Sequence, residues 1–327
     1  MTDPDTAPRT GSAGVLASAA DTLCEAVDSV APGGLPVLIV ARGDHELWDA
    51  TCKRLADAGR PVLRESLERG AKDWDPWGAV RDRVGVRALM YHDPFAAQSS
   101  GCDAADIRRA VARGVGLVFV DFPHGLRDAA VERRLTDVYL TALARPPSPL
   151  RAAAARVRAL LDGATAVVVA SEAASLRIEG PWAVRDDWIS AGLDVPVRQL
   201  PNGEVWLACD PERVDGEVVL GHGGPRPVRI RRGRIVRDPA AHDAPGPGDL
   251  PDPVVELGIG LNPAAPWLRG TCLVEKAAGR LHLGFGDNTL LGGGVHAPFH
   301  YDVPLARDCE AWALHDDGRR VRVAPLR

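Results

Sequence analysis

His300 and Asp302 stand two residues apart in H-Y-D, so on an extended strand both side chains leave the same face. A histidine beside a carboxylate is what a divalent first-row metal takes as ligands. The segment leading up to this pair offers more of the same chemistry. It reads E-L-G-I-G-L-N-P, then E-K-A-A-G-R-L-H-L-G-F-G-D-N, then L-G-G-G-V-H-A-P-F-H-Y-D. Glu256 falls in the apolar run V-V-E-L-G-I-G, where an ionised carboxylate is costly unless it is paired or bound to a metal. His282 sits in L-H-L-G-F-G, equally apolar, and reads either as a ligand or as a satisfied core histidine. Glu204 opens a strand after the turn P-N-G and alone would be an ordinary surface glutamate.

Other readings of the same stretch are weaker. G-F-G-D-N lacks the spacing of a dinucleotide fingerprint, and tight turns beside a site account better for its glycines. Cys272 has no orienting third group, which makes it a buried structural thiol rather than a nucleophile. No G-x-S-x-G is present to support a serine hydrolase. In the first half, His92 in Y-H-D-P-F and His124 in D-F-P-H-G each follow an expected strand. Bases and ligands gather at the carboxyl ends of such strands, so both are candidate catalytic bases, with surface loop histidines as the alternative.

The elements that must carry these residues differ between the two halves. Helical periodicity over 15–30, 44–58, 103–113 and 126–144 alternates with apolar strand-like runs at 36–41, 86–91 and 115–121. Ser148-Pro149 then opens a further helix, with Pro at its first position. This alternation predicts an open, Rossmann-like α/β sheet with helices on both faces. From Ala164 onward short strands dominate: 204–208, 217–220, 228–231, 254–257, 280–283 and 320–323, the mark of a β-rich second domain. The expected division is a disordered leader over 1–12, an α/β domain over 13–163 and a β-rich (α+β) metal-binding domain over 164–327. R-I-R-R-G-R-I-V-R (229–237) alternates as a solvated strand face would, with Gly233 in a turn.

A chain of 327 residues with a net charge of −5 does not suggest a nucleic-acid partner. No apolar run approaches the ~20 residues of a membrane-spanning helix. Six scattered cysteines without C-x-x-C fit reduced thiols, and so a cytoplasmic protein.

Taken in order over residues 164–304, L-P-N-G-E-V-W-L-A, V-E-L-G-I-G-L-N-P, V-E-K-A-A-G-R-L-H-L-G-F-G and H-Y-D resemble the aminopeptidase T/aminopeptidase S metallopeptidase family. The resemblance implies that Glu204, Glu256, His282, His300 and Asp302 correspond to a set of carboxylates and histidines shared by two metal ions. The peptidases also use a tyrosine seven residues after the first histidine, and Thr289 stands there in this chain. A compact branch of the same fold, the 2,5-dihydroxypyridine 5,6-dioxygenases, is similar in size and holds a single Fe(II). On that likeness Glu256, His300 and Asp302 are expected to bind iron, with His282 and Glu204 orienting ligands or moving protons. The expectation placed first is therefore a mononuclear Fe(II) ring-cleaving oxygenase, taking O2 and a hydroxylated (hetero)aromatic small molecule. Second is a two-metal aminopeptidase or amidohydrolase using Zn, Co or Mn, and third a non-catalytic metal or small-ligand binding protein. Relatives of this kind imply a homo-oligomer.

Overall fold

The computed structural model of the chain describes residues 13–42, 45–67, 88–94, 114–123, 126, 128–188, 197–221, 225–236, 252–268, 271–297 and 300–325. The expected leader, the expected helix over 103–113 and His124 lie outside the described residues. The chain divides into two compact units, Met1–Pro147 with Val195–Pro201, and Ser148–Asp194 with Asn202–Arg327. No helix among the described residues is long and apolar enough to cross a membrane.

The first unit holds α1 (Ala13–Val30), β1 (Val37–Arg42), α2 (Glu46–Asp57), β2 (Val62–Leu67), β3 (Ala88–Pro94), β4 (Gly116–Phe122) and α3 (Ala129–Leu143). Its sheet runs β2-β1-β3-β4-β8, where β8 (Val197–Leu200) is contributed from much later in the chain, and every pairing is parallel. A parallel sheet is covered on its faces, and V-L-I-V-A of β1 is accordingly buried throughout. Helix α3 starts where Asp128 accepts the backbone N–H of Ala130 and Val131, satisfying two groups the first turn leaves open. The unit is the α/β sheet that the alternating pattern predicts.

The second unit opens with α4 (Pro147–Leu161), whose first residue is Pro147, ahead of the expected Ser148-Pro149 start. Strands β5 (Ala164–Ala170), β6 (Ser175–Glu179), β7 (Ala183–Asp186), β9 (Glu204–Ala208), β10 (Val214–Leu220), β11 (Arg226–Arg231) and β12 (Arg234–Ile235) follow. Then come β13 (Val254–Gly260), the single turn α5 (Leu273–Lys276), β14 (Leu281–Gly286), β15 (His300–Pro304), β16 (Glu310–His315) and β17 (Arg320–Ala324). They form two sheets, β12-β11-β10-β6-β5-β16-β17 and β15-β14-β13-β9-β7, and their described pairings are antiparallel. The arginines of 229–234 lie on the exposed side of the β11–β12 hairpin, with Gly233 in its turn at φ 68°.

Both sheets feed one apolar cluster. The smaller sheet gives Val205, Leu207, Leu257, Ile259, Leu281, Leu283, Phe285 and Val303, and the larger gives Val167, Val169, Leu176, Ile178, Ala311 and Ala313. Strand side chains alternate, so burying these residues on one face sends Glu204, Glu256, His282, His300 and Asp302 together to the other. L-H-L-G-F-G and V-V-E-L-G-I-G thus encode a core face and a chemical face within the same strands.

Candidate metal centre

Each of the five donors stands directly across the ladder from a glycine. Glu204 faces Gly260, Glu256 faces Gly284, His282 faces Gly258, His300 faces Gly286, and Asp302 also faces Gly284. The sequence reading took the glycines of G-F-G-D-N as turn formers, and the structure corrects it for Gly284, which is inside a strand, as Gly258 is. A Cβ on Gly284 would lie 2.7 Å from both Cβ and Oε2 of Glu256 and 2.9 Å from His300 Cε1. One on Gly258 would overlap the His282 ring and stand 2.5 Å from Glu204 Oε1. Glycine here marks close approach of a neighbouring group. Only Gly286 and Gly292, at φ 97° and 93°, serve the turn that follows β14.

The donors make one continuous constellation. His282 Nε2 lies 2.9 Å from Glu204 Oε1, 3.7 Å from Glu256 Oε1 and 3.6 Å from Asp302 Oδ1. His300 Nε2 lies 3.0 Å from Glu256 Oε2 and 3.1 Å from Asp302 Oδ1. Glu256 therefore turns one oxygen toward each histidine. It belongs to two triads, Glu204–Glu256–His282 and Glu256–His300–Asp302, and in each the ligand atoms lie within 4.8 Å of one another. The first triad is buried, whereas His300 and Asp302 reach solvent.

These residues fit divalent cations. Glu204 Oε1, Glu256 Oε2 and His282 Nδ1 are buried with no hydrogen-bond partner among the described residues. The short contacts above bring these donor atoms toward a common space. A buried carboxylate oxygen left unpaired is costly, and a cation removes that cost. Carboxylate and imidazole donors suit Zn, Mn, Co and Fe.

The surrounding groups fix the donors. His300 Nδ1 is 2.6 Å from the carbonyl oxygen of Asp287, which can only accept. Nδ1 therefore keeps its proton, and Nε2, which faces Glu256 and Asp302, is the atom left to bind a cation once its own proton is gone. Asp287 is held in turn by Thr289, whose N–H (2.9 Å) and Oγ1 (2.7 Å) both donate to its Oδ1, and by the N–H of Ala297. Asn288, fully buried, donates to the carbonyls of Cys209 and Val255 and accepts from Val295 N–H, tying this loop to the strands that carry Glu204 and Glu256. On the opposite side, Asp187 Oδ2 accepts the backbone N–H of Gly203 (2.6 Å) and Glu204 (2.9 Å). Its Oδ1 is 3.2 Å from Lys276 Nζ, and the same ammonium is ion-paired with Glu204 Oε2.

Electrostatics follow from this crowding. Burial works to raise Glu204 and Glu256, but Lys276 and His282 outweigh it at Glu204, and His282 and His300 at Glu256, so both carboxyls sit below their usual range. Burial would lower the histidines. Glu204, Glu256 and Asp302 outweigh it at His282, and Asp302 and Glu256 do so at His300, holding both well above the usual value. Lys276 is likewise held well above the lysine range, because Asp187, Glu204 and Glu275 outweigh burial. Burial, reinforced by Asp302, pushes Glu275 up. Asp187, Glu204 and Glu275 thus surround Lys276.

All five donors expected from the sequence share this face. His92 lies in β3 of the first unit with its side chain outside the described residues, and His124 is outside them altogether. Cys272, expected to be buried, is half-buried immediately before α5. Lys276, Glu275 and Asp187 escaped the sequence reading. A signal existed for the first two, a Glu-Lys pair inside the otherwise apolar C-L-V-E-K-A-A. Asp187 in R-D-D-W carried none.

No protein-family model and no curated protein matches the chain. Solved structures do. That of the 2,5-dihydroxypyridine dioxygenase of Pseudomonas putida KT2440 has a TM-score of 0.62 at 14% identity, covering 95% of this chain and 96% of that one. Wild-type AmpT of Thermus thermophilus, an aminopeptidase, has a TM-score of 0.63 at 19% identity, covering 94% and 97%. The chain has the fold these two share. Identities this low establish the fold alone, so the chemistry rests on the constellation itself.

Proposed function

We propose that this chain is a metal-dependent hydrolase holding two divalent cations and cleaving an amide or peptide bond in a small substrate. The observation that carries this reading is Glu256, whose two oxygens face different histidines and so join two donor triads. The sequence placed a one-iron oxygenase first; the disposition of Glu256 is what favours the two-cation reading here.

When bound, such a pair polarises a scissile carbonyl and makes a bound water acidic. Glu204 Oε1, Glu256 Oε1 and His282 Nε2 would hold one cation, and Glu256 Oε2, His300 Nε2 and Asp302 Oδ1 the other. His282 and Glu204, expected as proton carriers, are then ligands. Glu275 takes up that role: its half-buried carboxyl stays protonated above the usual range and stands close enough to Asp302 and His282 to feel their charge. His300 and Asp302, at the open side, orient whatever enters from solvent, while the buried triad keeps water away from the far side.

One observation favours the mononuclear Fe(II) reading. Lys276 already satisfies one oxygen of Glu204, which would leave Glu256, His300 and Asp302 as a single solvent-facing triad. Anaerobic reconstitution with zinc, cobalt, manganese or iron, followed by metal analysis per chain, separates the two. Two equivalents, with release of the amine from a leucyl anilide, are expected. One tightly held iron, with oxygen uptake on a dihydroxypyridine, would put the oxygenase first. Mass in solution on the same sample reads whether the chain is a homo-oligomer.

A further inference from the structure

Lys276 is among the largest fully buried side chains of the described residues, and it is ion-paired with one of the donors. Its ammonium is fixed from two sides. Asp187 Oδ1 holds it at 3.2 Å, and Asp187 Oδ2 simultaneously pins the backbone of Gly203 and Glu204. The lysine and the start of β9 are therefore locked together through one carboxylate. Glu204 Oε2 is taken by the ammonium, and only Oε1 is turned toward His282. Among the described residues, Glu256 and Asp302 pair with histidines alone, and neither has an oxygen taken by a lysine.

We infer that Lys276 is a positioning residue that makes the two cation positions unequal. The position served by Glu204, Glu256 and His282 has a fixed positive charge beside it and one Glu204 oxygen withdrawn, so it binds its cation more weakly. The position served by Glu256, His300 and Asp302 fills first and empties last. This rests on the two-cation reading and adds the order of occupancy. At limiting metal the protein then holds one cation on its solvent-facing side, and metal supply controls the second.

The test is a titration of the full-length, chelator-stripped protein with Zn2+ in competition with a chromophoric chelator, which needs no substrate. The wild type should take two equivalents with dissociation constants at least about tenfold apart, the scale on which groups around a ligand act. Lys276→Met should tighten the weaker step and bring the two within about threefold, whereas Lys276→Arg, which keeps the charge, should preserve the gap. Because Lys276→Met uncovers two buried carboxylates and can fail to fold, Glu204→Gln provides an independent arm. It should remove the weaker equivalent and leave the tighter constant unchanged. A single equivalent in the wild type that becomes two in Lys276→Met is the limiting form of the same effect. Equal constants in the wild type, an unchanged gap in Lys276→Met, or loss of the tighter step in Glu204→Gln would overturn the inference while leaving two cations in place. One equivalent in every protein would remove the two-cation reading itself.

Discussion

Gly284→Ala tests whether the glycines facing the donors are there to make room for them. The added methyl would lie 2.7 Å from Glu256 Oε2, 2.7 Å from Glu256 Cβ and 2.9 Å from His300 Cε1. Ordinary carbon contacts begin near 3.5 Å, so these groups must retreat by roughly 0.6–0.8 Å. The Glu256 Cβ cannot swing away, because its own backbone sets its position in the paired register of β13 and β14. The strands must separate or Glu256 must leave its rotamer, and either moves donor atoms well beyond the ~0.2 Å that coordination distances tolerate. Overpacking of this kind costs about 1–3 kcal/mol of stability. Cation affinity should fall by at least the ~10–100-fold seen when only an outer partner of a ligand is lost. The assay is Zn2+ competition titration beside thermal unfolding of the stripped protein, with Gly294→Ala as control, since a Cβ there meets nothing within 4 Å. A Gly284→Ala protein that binds both cations as tightly as wild type would refute this account of the glycine pattern.

Glu256→Gln keeps the side-chain size and removes the shared charge. It should empty both positions in metal analysis, and retention of one full equivalent would show that Glu256 serves a single triad. His300→Ala should lose the solvent-facing cation while circular dichroism stays that of the wild type, because this side chain sits at the exposed rim. Full occupancy after His300→Ala would remove it from the ligand set. The raised histidines give a pH signature. In metal-free protein the stability they contribute is complete below the unfolded value near 6.5 and is lost as pH rises through their higher folded values. The Tm of stripped protein should therefore fall as pH rises through that range, while cation affinity climbs as Nε2 is freed of its proton. A flat Tm from neutral to alkaline pH would mean that the two imidazoles are not charged partners of these carboxylates.

What the sequence showed and what it hid have physical reasons. Period-two alternation in L-H-L-G-F-G and H-Y-D displays which side chains share a face, so the side chains that cluster there were legible in the sequence. The burial cost of Glu256 in V-V-E-L-G-I-G pointed the same way. Register was hidden, because pairing β13 with both β14 and β9 is a long-range outcome that no local pattern states. The meaning of the glycines was hidden with it, since Gly284 opposes both Glu256 and Asp302 only once three strands are aligned. Asp187 and Lys276 meet across many intervening residues, and neither β7 nor β8 gave a signal, being only four residues long. Strand β8 leaves the second unit's sequence to complete the first unit's sheet, which a linear reading of domains does not anticipate.

Thr289 shows how position changes the weight of a residue. Compared with a tyrosine in the resembling peptidases, it was one of the features that placed a one-iron site first. In the fold its hydroxyl and its N–H both close on Asp287 Oδ1, and the Asp287 carbonyl sets the ring of His300. It therefore holds the loop that orients His300, which a one-cation and a two-cation centre would need equally. Its short side chain bears on how an intermediate would be assisted and is neutral on how many cations are held. The geometry that bears on that number is at Glu256, whose two oxygens face two histidines.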